Sequence, residues 1–194
     1  MEQIPTLRTA RLLLRPFKLS DAPDVQRLAG DHAIADTTLN VPHPYPDGVA
    51  EEWISTHPPA FQAGEAATFA VVLRQEETLV GAFGITIDPR FDSAEMGYWI
   101  GRPFWGRGYC TEAARAVLDY AFEDLKLNRV HASHVVRNPA SGRVMQKLGM
   151  TKEGLRRQHV KKWEKYEDLV NYGILRREWR MGNGSPADAG GGRV

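Results

Sequence analysis

A mixed α/β fold is predicted by three observations. Alternating apolar and polar runs at residues 68–73, 79–87 and 95–100 lie close enough in sequence to pair as antiparallel neighbours. Next come Ala114, Val117, Leu118, Ala121, Phe122 and Leu125, whose offsets of i, i+3, i+4, i+7, i+8 and i+11 mark one face of a helix. The period then changes again, to a short strand at 129–136, a punctuated helix from Asn138, and two further strands at 150–160 and 166–175.

The elements follow in order. Residues 12–17, with Leu12, Leu13 and Leu14, read as a first strand, and Ser20 and Asp21 cap a helix carrying Val25, Leu28 and Ala29. Between 37 and 48 three prolines, Pro42, Pro44 and Pro46, surround His43 and Tyr45 and exclude a regular element. Helical spacing through Trp53 and Ile54 meets Pro58 and Pro59, so 49–62 is one interrupted helix or two short ones. The polar residues 74–78 join the next two strands as a hairpin, and Asp88-Pro89-Arg90 leads to the strand at 95–100. Residues 101–108 form a tight loop containing Gly106-Arg107-Gly108, and the helix begins at Tyr109. Asn138 as cap, Pro139 in the first turn and Gly149 at the end bound the later helix. Polar residues 161–165 connect the last two strands, and the glycine-rich, aperiodic residues 181–194 are expected to be a disordered tail beyond a single domain spanning 1–180.

Composition narrows the functional classes. A chain of 194 residues buries roughly 70% of its unfolded surface and needs no disulfide or metal to stand. Twenty-five basic against twenty-four acidic residues, with no long run of either sign, provide no overall field for nucleic acid or an anionic membrane. Any anion site must be local. One cysteine, Cys110, precludes an internal disulfide. The first residues lack the apolar run of a signal peptide and no stretch approaches the roughly 20 apolar residues that cross a bilayer, which makes the cytoplasm the expected compartment.

The glycine turn is where a local anion site is expected. A helix start leaves backbone N–H groups unpaired and carries roughly half a positive charge, so glycines that admit close approach make a phosphate cradle there. Arg107 adds a full charge. Around this turn the chain resembles the GNAT superfamily of acyl-CoA-dependent N-acetyltransferases, and within it the RimJ/RimL-like branch, over about residues 7–180. The resemblance rests on Arg11-Leu12-Leu13-Leu14-Arg15, Pro44-Tyr45-Pro46, Glu95-Met96-Gly97-Tyr98-Trp99-Ile100, and Trp105-Gly106-Arg107-Gly108-Tyr109-Cys110-Thr111-Glu112-Ala113. Asn138-Pro139-Ala140-Ser141 with Lys147-Leu148-Gly149-Met150, and the stretch 168–179, complete the order. It implies a mostly antiparallel mixed sheet with splayed central strands and flanking helices, and acetyl-CoA as cosubstrate with its pyrophosphate on Trp105, Gly106, Arg107, Gly108 and Tyr109. The family usually has glutamine or arginine three residues before the first glycine. Here Pro103 stands there, which removes one side-chain contact and leaves backbone binding.

Acetyl transfer to an amine needs a proton acceptor, because a free aliphatic amine has a pKa of about 10. Alternation puts Glu95, Gly97 and Trp99 on one strand face and Met96, Tyr98 and Ile100 on the other, so Glu95 beside a glycine gap is the candidate base, set against a solvated or salt-bridged carboxylate. Ser141 falls on the inward face of its helix with Val144, Met145 and Leu148. The resemblance implies that Ser141 protonates the departing thiolate and Asn138 holds the pantetheine arm; the plain alternative for both is helix capping. A tyrosine is the alternative acid. Tyr45 and His43 are candidate substrate contacts, since the proline loop borders the acceptor pocket in the family. Glu112, Arg115, Asp119 and Glu123 read as a solvated helix face with one i,i+3 pair. Cys110, with no histidine partner in the motif, reads as packing rather than nucleophile. His131 and His134 point to opposite faces of a strand, so no metal is implied.

The expected function is acetyl transfer to a primary amine by direct attack in a ternary complex. The branch favours a protein N-terminal α-amine, whose pKa of about 8 eases deprotonation. Acetylation of a small amine or antibiotic, and a non-catalytic acyl-CoA-binding sensor, are the alternatives. A dinucleotide oxidoreductase lacks the third glycine of its turn, at position 111. Apolar segments near the last strand are candidates for pairing two copies of the chain, as relatives often do.

Overall fold

Eight strands form one sheet in the computed structural model, which describes residues 3–182: β1 Leu7–Arg8, β2 Leu12–Arg15, β3 Ala66–Leu73, β4 Leu79–Asp88, β5 Ser93–Ile100, β6 Arg129–Val135, β7 Thr151–Lys162 and β8 Lys165–Leu175. Their spatial order is β1-β2-β3-β4-β5-β6-β8-β7. Every neighbour pair is antiparallel except β5 and β6. Seven helices flank the sheet: α1 Ala22–Ala29, α2 His32–Ala35, α3 Val49–Ser55, α4 His57–Gln62, α5 Tyr109–Asp119, α6 Pro139–Lys147 and α7 Arg176–Gly182. The mixed, mostly antiparallel architecture is the one expected.

Strand alternation divides the core in two. Phe69, Val71, Phe83, Ile85, Met96 and Val130 face Ala114, Val117 and Leu118 of α5, Met145 of α6 and Trp179 of α7. Ala70, Val72, Ala82 and Trp99 face Val25 and Leu28 of α1, Ile34 of α2 and Ile54 of α3. Phe69 and Phe83 are fully buried, and each contributes about 1.5–3 kcal/mol through removal of its ring from water.

Several local readings are refined. Asp21 does not cap α1 through its side chain. It takes a bidentate pair from Arg15 at 2.7 and 2.8 Å and the Lys18 amide at 2.8 Å, tying β2 to the turn before α1. Of the two helices at 49–62, the second opens with Pro58 and Pro59 in its first turn, where a missing N–H costs nothing. The helix predicted to run through Leu125 widens at Tyr120–Asp124 into a π turn. On its polar face, Asp119 accepts the Trp179 indole N–H at 2.8 Å and Glu123 pairs with Arg180 at 3.0 Å, so this face anchors α7 instead of meeting only solvent. Met181 and Gly182 close α7, and the remainder of the predicted tail lies outside the described residues.

The β5–β6 ladder positions the site. It contains three pairs, Ser93–Arg129, Ala94–Val130 and Glu95–His131. Beyond Glu95 and His131 the two strands run on without pairing, so the sheet forks there. On the far side of β6, β7 and β8 meet in a hairpin whose turn residues Trp163 and Glu164 have φ of +46° and +65°, the sign that two-residue hairpin turns demand.

His57 carries a cost. It is buried between Trp53 (4.4 Å) and Phe17 (5.4 Å), and neither ring nitrogen has a hydrogen-bond partner. Burial lowers its pKa from 6.5 to about 4. Between these values the unfolded chain binds a proton that the folded chain refuses, so stability falls as pH drops from about 6.5 towards 4. His57→Phe is expected to flatten this part of the denaturant-midpoint profile against pH; an unchanged slope would show that other groups set it.

Candidate active site

The fork opens into a cleft of about 1290 Å³ that runs through the sheet from one face to the other. Glu95 belongs to the last pair before the strands part, and its side chain lies on the face shared with Gly97 and exposed to the cleft. A Cβ built on Gly97 meets nothing within 4 Å. No neighbour in the chain therefore demands a glycine here, and the space is left for something else.

On the opposite face of β5, the Tyr98 hydroxyl lies 2.8 Å from Ser141 Oγ. Tyr98 is stacked on Phe83 at 5.1 Å, which fixes the ring beneath α6. Burial, followed by neighbouring Cys110, raises the Tyr98 pKa well above its ordinary value despite the opposing hydrogen bond from Ser141, so the phenol is protonated at neutral pH. Ser141 is not the helix cap. That role falls to Asn138, whose Oδ1 accepts the Ser141 amide at 3.4 Å. Thus carboxylate and hydroxyl pair stand on the two sides of one strand, at the mouth of the fork.

The glycine turn lies at the end of β5. Gly106 and Gly108 have φ of +76° and +80°, a left-handed conformation costing a side-chain-bearing residue roughly 1–2 kcal/mol. Gly108 is the N-cap of α5 and no side chain caps that helix, so its first amides point into the cleft mouth without carbonyls four residues back. Trp105 is half exposed and its indole N–H donates to the Ile100 carbonyl at 2.5 Å, closing the end of β5. Tyr109 lines the cleft; Arg107 is exposed with its guanidinium 5.9 Å from the Phe104 ring.

Arg11 holds this turn. Its Nη1 donates to the Arg107 carbonyl at 3.0 Å, its Nε to Glu112 at 2.7 Å, and its guanidinium lies 4.7 Å from the Tyr109 ring centre. Thr9 adds a 2.6 Å hydrogen bond to the same carboxylate. Burial opposes ionisation of Glu112, but the bonds from Thr9 and Arg11 outweigh it and hold the carboxyl below its usual range. The expected solvated pair of Glu112 with Arg115 is therefore replaced: Arg115 donates to the Lys147 carbonyl at 3.0 Å, joining α5 to α6. Nothing near Arg11 in sequence signals this role, since its partners are about a hundred residues away.

The proline loop and the β7–β8 hairpin wall the Glu95 side. Tyr45 lines the cleft, whereas His43 is exposed, with Nδ1 3.1 Å from the Gly30 carbonyl and its ring against His32 and Trp163. Lys162 Nζ donates to the Leu39 and Val41 carbonyls at 3.2 and 2.9 Å. Arg137 joins Asp36 to Glu167. Among the described residues no cluster of three or more His, Cys, Asp or Glu side chains can hold a metal, and no helix is long and apolar enough to cross a membrane.

The mixed, mostly antiparallel sheet with its flanking helices agrees with the comparisons. Residues 11–151 match the family described as Acetyltransferase (GNAT) domain. The chain belongs to the GNAT acetyltransferases. It is an acyltransferase of this family, whose members use acetyl-CoA. It is 31% identical to the N-acetyltransferase p20 of Bacillus licheniformis over 176 residues, 90% of this chain and 98% of that one. It is 26% identical to the [ribosomal protein uS5]-alanine N-acetyltransferase of Escherichia coli over 121 residues, 61% of this chain and 62% of that one. The GNAT acetyltransferase structure from Bacillus anthracis superposes with a TM-score of 0.81 at 26% identity, covering 90% of this chain and all of that one.

For this GNAT chain, Gly97→Ala is expected to keep its thermal midpoint within a degree or two, because the added Cβ meets no neighbour. The same variant is expected to lose at least about tenfold in thiol release at saturating acetyl-CoA, the scale of a misplaced reacting group. Wild-type turnover would show that the space above Gly97 is not on the acyl path. Arg11→Ala is expected to raise KM for acetyl-CoA more than it lowers kcat; an unchanged KM would mean the turn keeps its shape unaided.

Proposed function

We propose that this enzyme acetylates the N-terminal α-amine of a protein, with Glu95 as the base and Ser141, hydrogen-bonded to Tyr98, as the acid. The observation that carries this reading is the placement of these groups on opposite faces of β5 at the fork. The residues fit acetyl-CoA: an uncapped helix start and two left-handed glycines suit a pyrophosphate, and Asn138 beside the fork suits the amides of a pantetheine arm. When bound, the cosubstrate supplies an activated acyl carbon and a thiol leaving group.

Glu95 removes the ammonium proton, directly or through water, so that the nitrogen has a free electron pair. On the other face, Ser141 donates to the sulfur as its bond to the acyl carbon breaks. Tyr98 holds the serine hydroxyl in that direction and supplies a proton in turn. From the ammonium the nitrogen gives up two protons, one to Glu95 before attack and one as the amide forms; the sulfur gains one through Ser141 and Tyr98, the second nitrogen proton restores that pair, and Glu95 releases the first to solvent, so the exchange balances with one proton set free. The glycine turn, with Trp105, Gly106, Arg107, Gly108 and Tyr109, fixes the far end of the carrier, while Tyr45 lines the acceptor side and His43 braces the loop that carries it. An α-amine acceptor is supported by the likeness to the uS5-alanine N-acetyltransferase and by the lower basicity of α-amines. It is also supported by the cleft lining, where Glu95 is the sole carboxylate among the described residues; a polycationic antibiotic would meet one acid there.

Glu95→Gln is expected to lower kcat by about 10²–10⁴ and to make it depend on the fraction of acceptor already deprotonated, so that activity recovers towards high pH. Ser141→Ala and Tyr98→Phe are each expected to lower kcat with little change in KM, and the double variant to lose less than the product of the two. Mass spectrometry of acetylated peptides with free and blocked N-termini locates the acetyl group. Full turnover by Glu95→Gln at neutral pH, or acetylation confined to small amines, would overturn the assignment.

A further inference from the structure

The β7 strand carries a feature that the acetyl transfer has not used. Its ladder with β8 breaks between Arg156, paired with Leu169, and Val160, paired with Glu167, leaving Arg157, Gln158 and His159 as a bulge. Gln158 sits at φ +47°, and its amide donates to the Asp168 carboxylate at 2.7 Å. A bulge re-aims side chains. Here Arg156 and His159 both line the cleft, with Arg156 Nη1 3.3 Å from His159 Nε2.

The ladders place Arg156 on the face of Glu95. Glu95 pairs with His131 on β6, Val135 shares the His131 face and pairs with Leu169, and Leu169 pairs with Arg156. Directly paired residues point the same way. His131 lies between the two charges and feels both. Of the other cations on the cleft wall, Arg137 is consumed by Asp36 and Glu167, while Arg143 and Lys147 belong to α6 on the sheet's other side. Arg156 has no carboxylate within ion-pair distance among the described residues.

We infer that Arg156 and His159 form an anion-recognising subsite for the acceptor, so that the preferred acceptor is a peptide whose free α-amine is followed within a few residues by an acidic side chain. This rests on the N-terminal α-amine reading above. The spacing sets the register. Three strand separations between β5 and β7, about 14 Å, combine with the four residues from His131 to Val135 along β6, about 13 Å, to put the two backbones on the order of 19 Å apart, a span that the arginine's own reach of roughly 6 Å shortens to about four extended residues beyond the first. With the amine at Glu95, a carboxylate at the fourth or fifth position meets the arginine fork, a charge-assisted contact that lysine would not match in geometry.

Matched peptides with a free N-terminus and Glu, Gln or Lys at positions two to five test this by kcat/KM. The Glu peptide at position four or five is expected to exceed its Gln counterpart by about tenfold or more, the effect of one charge-assisted hydrogen bond. Arg156→Glu is expected to reverse the order, favouring Lys over Glu, and Arg156→Lys to restore part of the original preference. Acetylation of all the peptides with equal efficiency, or a Glu preference that survives Arg156→Glu, would overturn the subsite while leaving the α-amine reading intact. Thiol release with small amines but with none of the peptides would overturn both.

Discussion

The structure depends on a ladder that stops. β5 is held on its outer edge by eight pairs with β4, and β6 on its outer edge by seven with β8, yet the two share only three with each other. Each strand of the fork is therefore fixed by a complete ladder on the side away from the gap. The gap stays open without strain, because closing it would require moving one half of the sheet against its own helices. Backbone groups on the inner edges beyond Glu95 and His131 are left facing the cleft, where an extended arm with amides can satisfy them as a strand would. At the end of β5, Trp105 fills that function from within the chain by taking the Ile100 carbonyl.

The acceptor side is built from segments that would otherwise move. The proline loop has no regular hydrogen bonding of its own, but Lys162 takes two of its carbonyls and Trp163 packs on His32, at 5.1 Å, beside His43. Burial lowers the Lys162 pKa while Asp36 pulls it back, and the lysine works here as a clamp between the hairpin and the loop. Such exposed ion pairs and hydrogen bonds contribute modestly one at a time. Their joint effect is to hold two walls of a pocket at a fixed separation, which is what orientation of an incoming amine requires.

Much of this was legible in the sequence. Alternation placed Glu95 and Tyr98 on opposite faces of β5, and the glycine turn and the Asn138 cap stood where their motifs said. What could not be read depends on which distant elements cross. The Tyr98–Ser141 bond spans 43 residues and exists because α6 lies over β5. The Arg11–Glu112 clamp spans 101 residues and looked, from the helix alone, like a solvated i,i+3 pair. The bulge in β7 was hidden for another reason: its left-handed residue is Gln158, and no glycine announces it. The π turn after α5 left the apolar spacing almost unchanged, so periodicity read it as plain helix.

Cys110 shows how competing effects decide a mechanism. It lies in the first turn of α5, where the helix dipole and free amides would lower a thiol's pKa and invite a covalent relay through an acetyl-thioester on the chain. Desolvation acts in the opposite direction: the side chain, partly buried at the cleft wall, packs against the core, and its pKa is pushed up to about 12. The same burial that silences the thiol raises the Tyr98 pKa next to it and keeps that phenol protonated. One apolar environment thus disfavours the thiolate at Cys110 and suits the direct transfer proposed above.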